Sequence, residues 1–425
     1  MLREFNELEI LSYAVGQPFN IAVMLKIKGE ISVDLLESAF VKLQEKHPLL
    51  KVRVILNDKN MPCFTSENVG SIPITIIDRK NDSQALDEFH CQLTTPFDFE
   101  NEKLPLARVI LFSSPKVSEL IICTLHSISD GYSMIFLVRD LLQLMINPKD
   151  KITTLAIPSK DVDLLTPKIR KMVPKRPVFQ HLVYGLLRIY NFFRYVFVGK
   201  RKTAEINIKE NEMGVYNWKL TKSQTSQLLD KCKQKEITVH SAISTAFISD
   251  YRIIGSPVNL RNRLNIDVGE SFGFYSGVAI YKMRYRKKLD FWKNARKLQK
   301  RLLKGLRDRK LFVLQKFFAK SVPVKLLRKI GTYYIEIVTN KEPFSIDNLG
   351  LLEKYLKDID FDKFPTIESF FGGITSFLNA FIVLFYTLRG EMHFYFHYTK
   401  SKYTLHEMKI LAEVVRNKLL NAIEK

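Results

Sequence analysis

Cysteine is scarce in this sequence. Its 425 residues include four cysteines, which are widely spaced and form no CxxC pair: Cys63, Cys91, Cys123 and Cys232. Cysteines so few and so scattered exclude a disulfide framework or a zinc knuckle, and they predict a reduced, cytoplasmic compartment. Acidic residues stand near the N-terminus, where a secretory signal would have a basic region followed by an apolar one. We therefore expect no targeting segment.

The common motifs for nucleotides and metals are absent as well. The sequence has no Walker motif, no GxGxxG and no HExxH. His393 and His397 are four residues apart, but they lie in an apolar run typical of a β-strand. Four residues of a strand span about 13 Å, so the two histidines cannot share a metal ion. We expect no metal site and no tightly bound cofactor. Nucleic-acid binding would depend on charge alone, without a recognisable motif, and is not expected.

The sequence has fewer acidic than basic residues, with 44 Asp and Glu and 66 Lys and Arg, so the formal charge is +22. The excess is concentrated in two stretches. The first basic stretch, residues 164–204, contains ten Lys or Arg and no acid, and the second basic stretch, residues 284–329, contains eighteen against two acids. Two basic surfaces on a globular body favour anionic partners, such as a membrane, a nucleotide-bearing cosubstrate or an acidic carrier protein.

In the first basic stretch, apolar residues recur at three- and four-residue spacing, which predicts one face of a helix. They are Phe179, Leu182, Val183, Leu186, Tyr190, Phe193 and Phe197. Arg188, Asn191 and Arg194 interrupt the run, so a membrane-spanning helix is not expected. Two interpretations stay open. The segment is either an amphipathic helix on an anionic membrane, which would make the protein peripheral, or a core helix packed against the protein itself.

The second basic stretch predicts one or two helices between Asp290 and Lys329, whose charges form a solvated face. The residues expected to face inward are Phe291, Leu298, Leu302, Leu303 and Leu306.

Alternating strand and helix patterns predict two α/β halves of similar size. The predicted elements are strands at 20–28, 51–56, 106–113 and 118–125, helices at 32–46 and after Asp130, a hairpin at 379–398 turning at Arg389 and Gly390, and a helix from Leu405. The predicted organisation is an N-terminal lobe at 1–165, a basic amphipathic crossover at 166–204 and a C-terminal lobe at 205–425. We expect this chain to be a monomer.

A histidine follows an apolar strand pattern at 120–125, and an aspartate and a glycine then precede a helix. His126 could act as a general base near neutral pH, because a strand exit can direct a side chain into a cleft. Asp130 could cap the helix or hold a buried arginine, and Gly131 permits close backbone approach or a positive φ. The alternative is a structural histidine and an ordinary helix cap. Against it, HxxxDG is expected by chance only about 0.02 times in this chain.

His126 to Gly131 resembles the HxxxDG signature of the HxxxD acyltransferase superfamily. That superfamily includes the condensation domains of nonribosomal peptide synthesis, chloramphenicol acetyltransferase, plant BAHD acyltransferases, polyketide-associated acyltransferases and alcohol acetyltransferases. The likeness extends along the chain. Further similar segments are His47 to Leu50 with Val52 to Val54, Val258 to Arg263, Phe272 to Gly277, and Ser345 to Gly350.

The resemblance implies an α/β (α+β) fold with two chloramphenicol-acetyltransferase-like lobes and an active-site tunnel between them. By the same resemblance, His126 would take the proton of an acceptor as it attacks an acyl thioester. Asp130 would pair with Arg261 to support the site with Gly131, and Gly273 and Asn348 would line the tunnel. The donor would be acyl-CoA or a phosphopantetheinyl thioester on an acyl carrier protein.

This sequence departs from the HHxxxDG form of condensation domains, since Leu125 stands at the first histidine position. The departure weakens the likeness to the peptide-bond-forming subgroup, and the chain looks closer to the alcohol acetyltransferase and polyketide-associated branches. This resemblance implies an ester-forming enzyme with a hydroxyl acceptor rather than an amide-forming one, in lipid or secondary metabolite biosynthesis. A second hypothesis is a catalytically silent, condensation-like module that docks a carrier protein or a membrane.

A third hypothesis concerns Ser271, because residues 269–273 match the GxSxG nucleophile elbow of serine hydrolases. That elbow requires a strand before the serine and a helix after it. Here residues 278–283 predict a strand after Ser271, which makes the hydrolase a minor alternative.

Overall fold

The computed structural model describes residues 2–162, 212–248, 253–307, 344–357, 366–375 and 381–424, together with residues 185 and 359. The amphipathic face predicted at 179–197 lies outside the described residues, apart from Gly185 within it. So does the part of the second basic stretch beyond residue 307. All four cysteines are described, and each is a free thiol.

The first half of the chain alternates strands and helices much as the sequence predicts. Its elements are β1 (Leu2–Glu4), α1 (Glu7–Ala14), β2 (Asn20–Lys28), α2 (Val33–Lys46), β3 (Arg53–Leu56), β4 (Pro62–Thr65), β5 (Ile74–Asp78), α3 (Gln84–Thr94), β6 (Ala107–Ser113), β7 (Val117–Leu125) and α4 (Gly131–Ile146). The strand predicted from residue 51 is corrected at its start. Pro48 opens a short 3-10 helix to Lys51, because the fixed φ of proline suits a first helical turn, and β3 begins only at Arg53.

The second half has the predicted hairpin and terminal helix. Its elements are β8 (Met213–Leu220), α5 (Lys222–Gln234), α6 (Val239–Phe247), β9 (Ile253–Asn259), β10 (Ser276–Lys282), α7 (Phe291–Arg307), β11 (Phe344–Leu351), β12 (Thr366–Ile374), β13 (Phe381–Leu388), β14 (Glu391–Thr399) and α8 (Leu405–Glu424). Strands β13 and β14 pair antiparallel through the turn at Arg389 and Gly390, and both turn residues have positive φ.

The described strands form three sheets. A small sheet has the order β1-β4-β3, a five-stranded sheet the order β12-β2-β7-β6-β5, and a six-stranded sheet the order β10-β9-β11-β13-β14-β8. Strand β12 comes from the second half of the sequence, yet it pairs antiparallel with β2 and completes the sheet of the first half. The α/β fold with two lobes is confirmed, and one strand crosses from the second lobe into the sheet of the first.

Buried apolar side chains form two large clusters. The first joins the first half of the chain to residues of the second half, among them Leu349, Tyr386 and Tyr395, and the second lies wholly in the second half. Helix α7 packs on the second cluster through Leu298, which has no exposed surface, and Leu302, which has 8%. The expectation that Leu303 faces inward is wrong, because its side chain is 42% exposed. With 3.6 residues per turn, Leu303 lies about 100° around the helix from Leu302, beyond the buried face.

Candidate active site

His126 lies one residue beyond β7, in a turn that fixes its ring. Its backbone N–H donates to the Phe19 carbonyl at 2.8 Å, and its Nδ1 lies 2.6 Å from the Ser129 carbonyl oxygen. A carbonyl oxygen only accepts hydrogen bonds, so Nδ1 carries the proton. In the neutral ring Nε2 therefore holds the free lone pair. The turn presets the tautomer that a general base needs at Nε2.

Two phenyl rings flank the His126 imidazole edge-on, Phe19 with its centroid at 4.6 Å and Phe274 at 5.0 Å. The residue is 7% exposed. Burial lowers the pKa of His126 below its ordinary value, since the charged ring loses its water, although the Ser129 carbonyl and Asp130 act in the opposite direction. The imidazole is consequently neutral at pH 7 and can accept a proton.

Asp130 performs both of the tasks that the sequence left open. As the N-cap of α4, its Oδ1 accepts the backbone N–H of Ser133 at 2.8 Å. Arg261 donates to both carboxylate oxygens, at 3.0 and 3.1 Å, and the Tyr275 backbone N–H adds a further bond at 3.0 Å. With four N–H donors on two oxygens, the carboxylate is fully engaged as an acceptor. This geometry gives Asp130 a structural role, and general base catalysis by His126 stays a prediction.

Ser133 is a site residue that the sequence analysis missed. Its hydroxyl accepts from Arg261 at 2.7 Å and from the Gly273 N–H at 3.1 Å, and it donates to the Gly273 carbonyl at 2.8 Å. Its position in the first turn of a helix that begins directly after Asp130 is the one local signal for such a role. The hydroxyl connects α4 to the loop that carries Phe274.

Arg261 is enclosed by rings as well as by acceptors. Its guanidinium carbon lies 4.5 Å from the centroid of Tyr275 and 5.6 Å from that of Phe136, within the range of cation–π attraction. The loop around Gly273 has a second attachment to α4, since Arg139 donates to both oxygens of Glu270 at 2.6 and 2.8 Å. These contacts join the two lobes beside His126.

The two glycines predicted at the site, Gly131 and Gly273, differ in how tightly their neighbours pack against them. Neither has a positive φ. A Cβ on Gly131 would lie 3.4 Å from Leu349 of β11, and a Cβ on Gly273 would lie 2.8 Å from the Tyr275 ring. Glycine at position 273 therefore allows the close packing of the Tyr275 ring under Arg261, whereas the 3.4 Å contact at Gly131 is an ordinary van der Waals distance and does not require glycine there.

Asn348 lies on β11, and its side-chain oxygen accepts the Gly350 N–H at 2.8 Å, where the register with β13 shifts. A role of Asn348 in lining a tunnel stays a prediction. Its neighbour Asp347 is a further group that the sequence analysis missed. Burial raises the pKa of the Asp347 carboxyl to about 6, and the charge of Asp130 contributes in the same direction.

Ser271 lacks the surroundings of a nucleophile elbow. In the described range 253–307, a loop precedes it and β10 follows it, where the elbow needs a strand and then a helix. His393 and His397 lie on β14, as the apolar pattern predicts. In the described part of the chain, no group of three or more His, Cys, Asp or Glu could hold a metal ion. Nor does that part contain a helix with the length and apolarity to cross a membrane.

The family model described as "Condensation domain" matches residues 12–166. Cyclosporin synthetase simA from Tolypocladium inflatum is 23% identical over 263 residues, which are 57% of this chain and 2% of that protein. Hybrid PKS-NRPS synthetase pvhA from Talaromyces variabilis is 32% identical over 129 residues, which are 29% of this chain and 3% of that protein. The chain thus spans only a few per cent of the length of these curated relatives.

Solved structures resemble the chain over its whole length. Polyketide synthase associated protein 5 from Mycobacterium tuberculosis has a TM-score of 0.64 at 16% identity and covers 100% of this chain and 99% of its own. The epimerization domain of tyrocidine synthetase B has a TM-score of 0.65 at 16% identity, and the match covers 100% of this chain and 98% of that domain. TRI3 trichothecene 15-O-acetyltransferase from Fusarium sporotrichioides has a TM-score of 0.67 at 13% identity, and the match covers 99% of this chain and 95% of that protein. The likeness establishes the two-lobed chloramphenicol-acetyltransferase-like fold.

Together these matches confirm the resemblance to the HxxxD condensation and acyltransferase superfamily that residues 126–131 indicated. They support acyl transfer in general, although an epimerization domain has the same fold.

Proposed function

We propose that this chain, whose N-terminal part matches the condensation domain of the HxxxD superfamily, transfers an acyl group from a thioester to a hydroxyl acceptor. One observation carries the proposal: Nδ1 of His126 donates to the Ser129 carbonyl, so Nε2 of a neutral ring is the free base. The thioester donor is acyl-CoA or a phosphopantetheinyl group on an acyl carrier protein. The matches to peptide and polyketide–peptide synthetases support the carrier-bound form.

The mechanism uses His126 twice. Its Nε2 takes the acceptor O–H proton as the oxygen attacks the thioester carbonyl carbon. When the tetrahedral intermediate collapses, the new C–O bond remains and the C–S bond breaks. The imidazolium then returns its proton to the leaving thiolate, which departs as a thiol. Asp130 and Arg261 exchange no proton, and they hold the turn so that Nε2 keeps its direction.

An ester product is favoured over an amide. Leu125 replaces the first histidine of the HHxxxDG form, and a 15-O-acetyltransferase is among the structural neighbours. A screen of acyl-CoA donors against alcohol and amine acceptors, with mass spectrometry of the products, identifies the bond that is formed. Amide formation with no ester product would contradict this preference.

The test of the base is His126→Ala. General base catalysis contributes about 10²- to 10⁴-fold, so turnover should fall by that factor while the thermal unfolding midpoint changes little. His90→Ala is the control, because it removes a partly buried histidine on α3, outside the motif at residues 126–131. Near-wild-type turnover of His126→Ala would overturn the assignment.

A second candidate function, a catalytically silent docking module, is favoured by the two rings that flank His126 and restrict its exposure to 7%. Under that alternative the chain binds an acyl-phosphopantetheinyl carrier protein but transfers the acyl group to no acceptor. Phe19→Ala separates the two functions. This substitution removes the phenyl ring that lies against His126. If the chain is a silent module, the variant should still transfer no acyl group, and if it is an enzyme, its KM for bulky acceptors should change.

Peripheral membrane binding by residues 179–197 is part of the proposal. Each Lys or Arg near an anionic surface contributes about 1 kcal/mol, so the basic flanks of this segment suffice for reversible attachment. Vesicle sedimentation with Lys200, Arg201 and Lys202 changed to Glu measures it. Equal binding of the wild-type protein to anionic and neutral vesicles would remove the electrostatic role.

A further inference from the structure

A groove lies between the end of β10 and the middle of α7, and most of its lining comes from the described part of the second basic stretch. Its volume is about 1130 Å³. Six of the ten residues that line it are cationic: Lys282, Arg284, Arg286, Lys287, Lys288 and Arg301. We call this feature the basic groove. None of its lining residues is an acid.

The positive charge of the basic groove is not neutralised within the described part of the chain, where none of its six cations forms an ion pair. Arg301 donates to a backbone acceptor, the carbonyl of Lys282. The nearby Asp290 is engaged with α7, since its carboxylate accepts the Lys293 N–H at 2.7 Å and pairs with the Lys293 ammonium at 3.2 Å. Six adjacent positive charges repel one another, and this repulsion is relieved when an anion binds.

The backbone that carries these cations is held in place by one buried amide. Asn294 has no exposed surface, and its side-chain nitrogen donates to the carbonyls of Arg286, Leu289 and Asp290 at 3.0 to 3.2 Å. Its oxygen accepts the Arg286 N–H at 3.0 Å. Met283, 3% exposed, packs into the second cluster from the same segment. The four cations between residues 284 and 288 therefore extend from a fixed turn, and the other two lie on β10 and α7, so binding requires little ordering of the backbone.

We propose that the basic groove binds a phosphate-bearing small molecule with at least two negative charges. Guanidinium groups recognise phosphate by paired hydrogen bonds, and ammonium groups add point charges. A single carboxylate would leave most of the six cations unpaired, whereas a diphosphate engages several of them. The concave shape and the volume fit a small molecule or a headgroup.

The basic groove is separate from the reacting centre. Strand β10 begins next to Tyr275, whose N–H bonds Asp130, and ends at Lys282 in the groove. At a rise of 3.3 Å per residue, that distance is about 20 Å. Binding in the groove is therefore independent of whether His126 is a catalytic base, and it is measured without turnover.

The test is calorimetric titration of the full chain with inorganic pyrophosphate at low salt. Arg284→Glu/Lys287→Glu/Lys288→Glu should bind at least tenfold more weakly than the wild-type protein. The control is Lys402→Glu/Lys409→Glu/Arg416→Glu, which makes the same change of charge at exposed positions around α8. It should bind like the wild-type protein, and so should His126→Ala. Equal binding by all variants, or equal loss in the groove variant and the control, would overturn the proposal.

Two further arms identify the source of the phosphate. Coenzyme A represents a soluble phosphate, and vesicles of equal parts phosphatidylglycerol and phosphatidylcholine represent a lipid headgroup. If the groove variant loses coenzyme A binding alone, the ligand is a soluble phosphate, and if it loses vesicle binding alone, the ligand is a headgroup. If it loses neither, the proposal fails. Thermal unfolding of each variant confirms that it is folded.

Discussion

Replacing Asp130 with Asn keeps the size of the side chain and removes its charge. The carboxylate accepts N–H groups from Arg261 twice, from Ser133 and from Tyr275. An Asn side chain has one oxygen and one NH₂ group, so at least one of these donors would meet another donor. The side chains of Asp130 and Arg261 are only 2% and 8% exposed, and solvent screens the pair weakly. Removing one partner should cost about 3 to 5 kcal/mol of the free energy of unfolding.

The coupling free energy between Asp130 and Arg261 is measured by a double-mutant cycle with Asp130→Asn, Arg261→Gln and the double variant. Urea unfolding at pH 7, monitored by circular dichroism, gives the free energy of unfolding of each protein. Because each single variant already breaks the interaction, the double variant should cost less than the sum of the singles, with a coupling of about 1 to 3 kcal/mol. Acyl transfer should fall in all three, since the turn that holds His126 loses its support.

A control for this cycle is the exposed pair between Lys219 and Glu391, whose N···O distance is 2.8 Å. Lys219→Met should change the free energy of unfolding by no more than about 1 kcal/mol, because water screens a surface pair. Additive losses for Asp130 and Arg261 would refute the argument that they act as one unit.

Three other predictions concern single groups. Since burial lowers the pKa of His126, kcat/KM should decline on acidification with an apparent pKa below the ordinary 6.5, and an acidic limb above that value would contradict a buried neutral base. Asp347→Asn should raise the free energy of unfolding at pH 7 by up to about 3 kcal/mol and have no effect below pH 4. The reason is that the pKa of Asp347 is raised to about 6, so the wild-type protein loses stability as the pH rises from about 4 to 6, whereas the Asn variant does not. Unfolding midpoints measured across this pH range test the prediction. Ser271→Ala should keep near-wild-type turnover, and an acyl adduct on Ser271 in intact-protein mass spectra would restore the hydrolase alternative.

The elements that sequence analysis located depend on local signals. The helix at Val33–Lys46 has a serine cap, and the β6–β7 and β13–β14 pairs each join strands that are close in the chain. Apolar periodicity and turn residues are sufficient to identify such elements. His126 and Asp130 were found because they share one short motif, and Arg261 came from the resemblance.

The side chains around the motif were not predictable in the same way. Phe19, Ser133 and Tyr275 reach the site through contacts between parts of the chain that are more than a hundred residues apart, and their local sequence gives no distinctive pattern. The prediction wrongly included Leu303 in the buried face of α7, because the spacing of leucines alone does not define how wide a buried face is. The basic groove combines a strand end, a turn and a helix, which the charge count did not resolve.

The contribution of β12 to the first sheet has a consequence for biosynthesis. Strand β2 lies between β7 and β12, so its outer edge stays open until residue 374 has been synthesised. At about 5 to 20 residues per second, the ribosome needs roughly 20 to 70 seconds for the 350 or so residues after Lys28. During that interval an apolar nine-residue edge is available for pairing with other chains. A fragment that ends at residue 165 would keep this edge unpaired, and we expect it to aggregate more readily than the full chain.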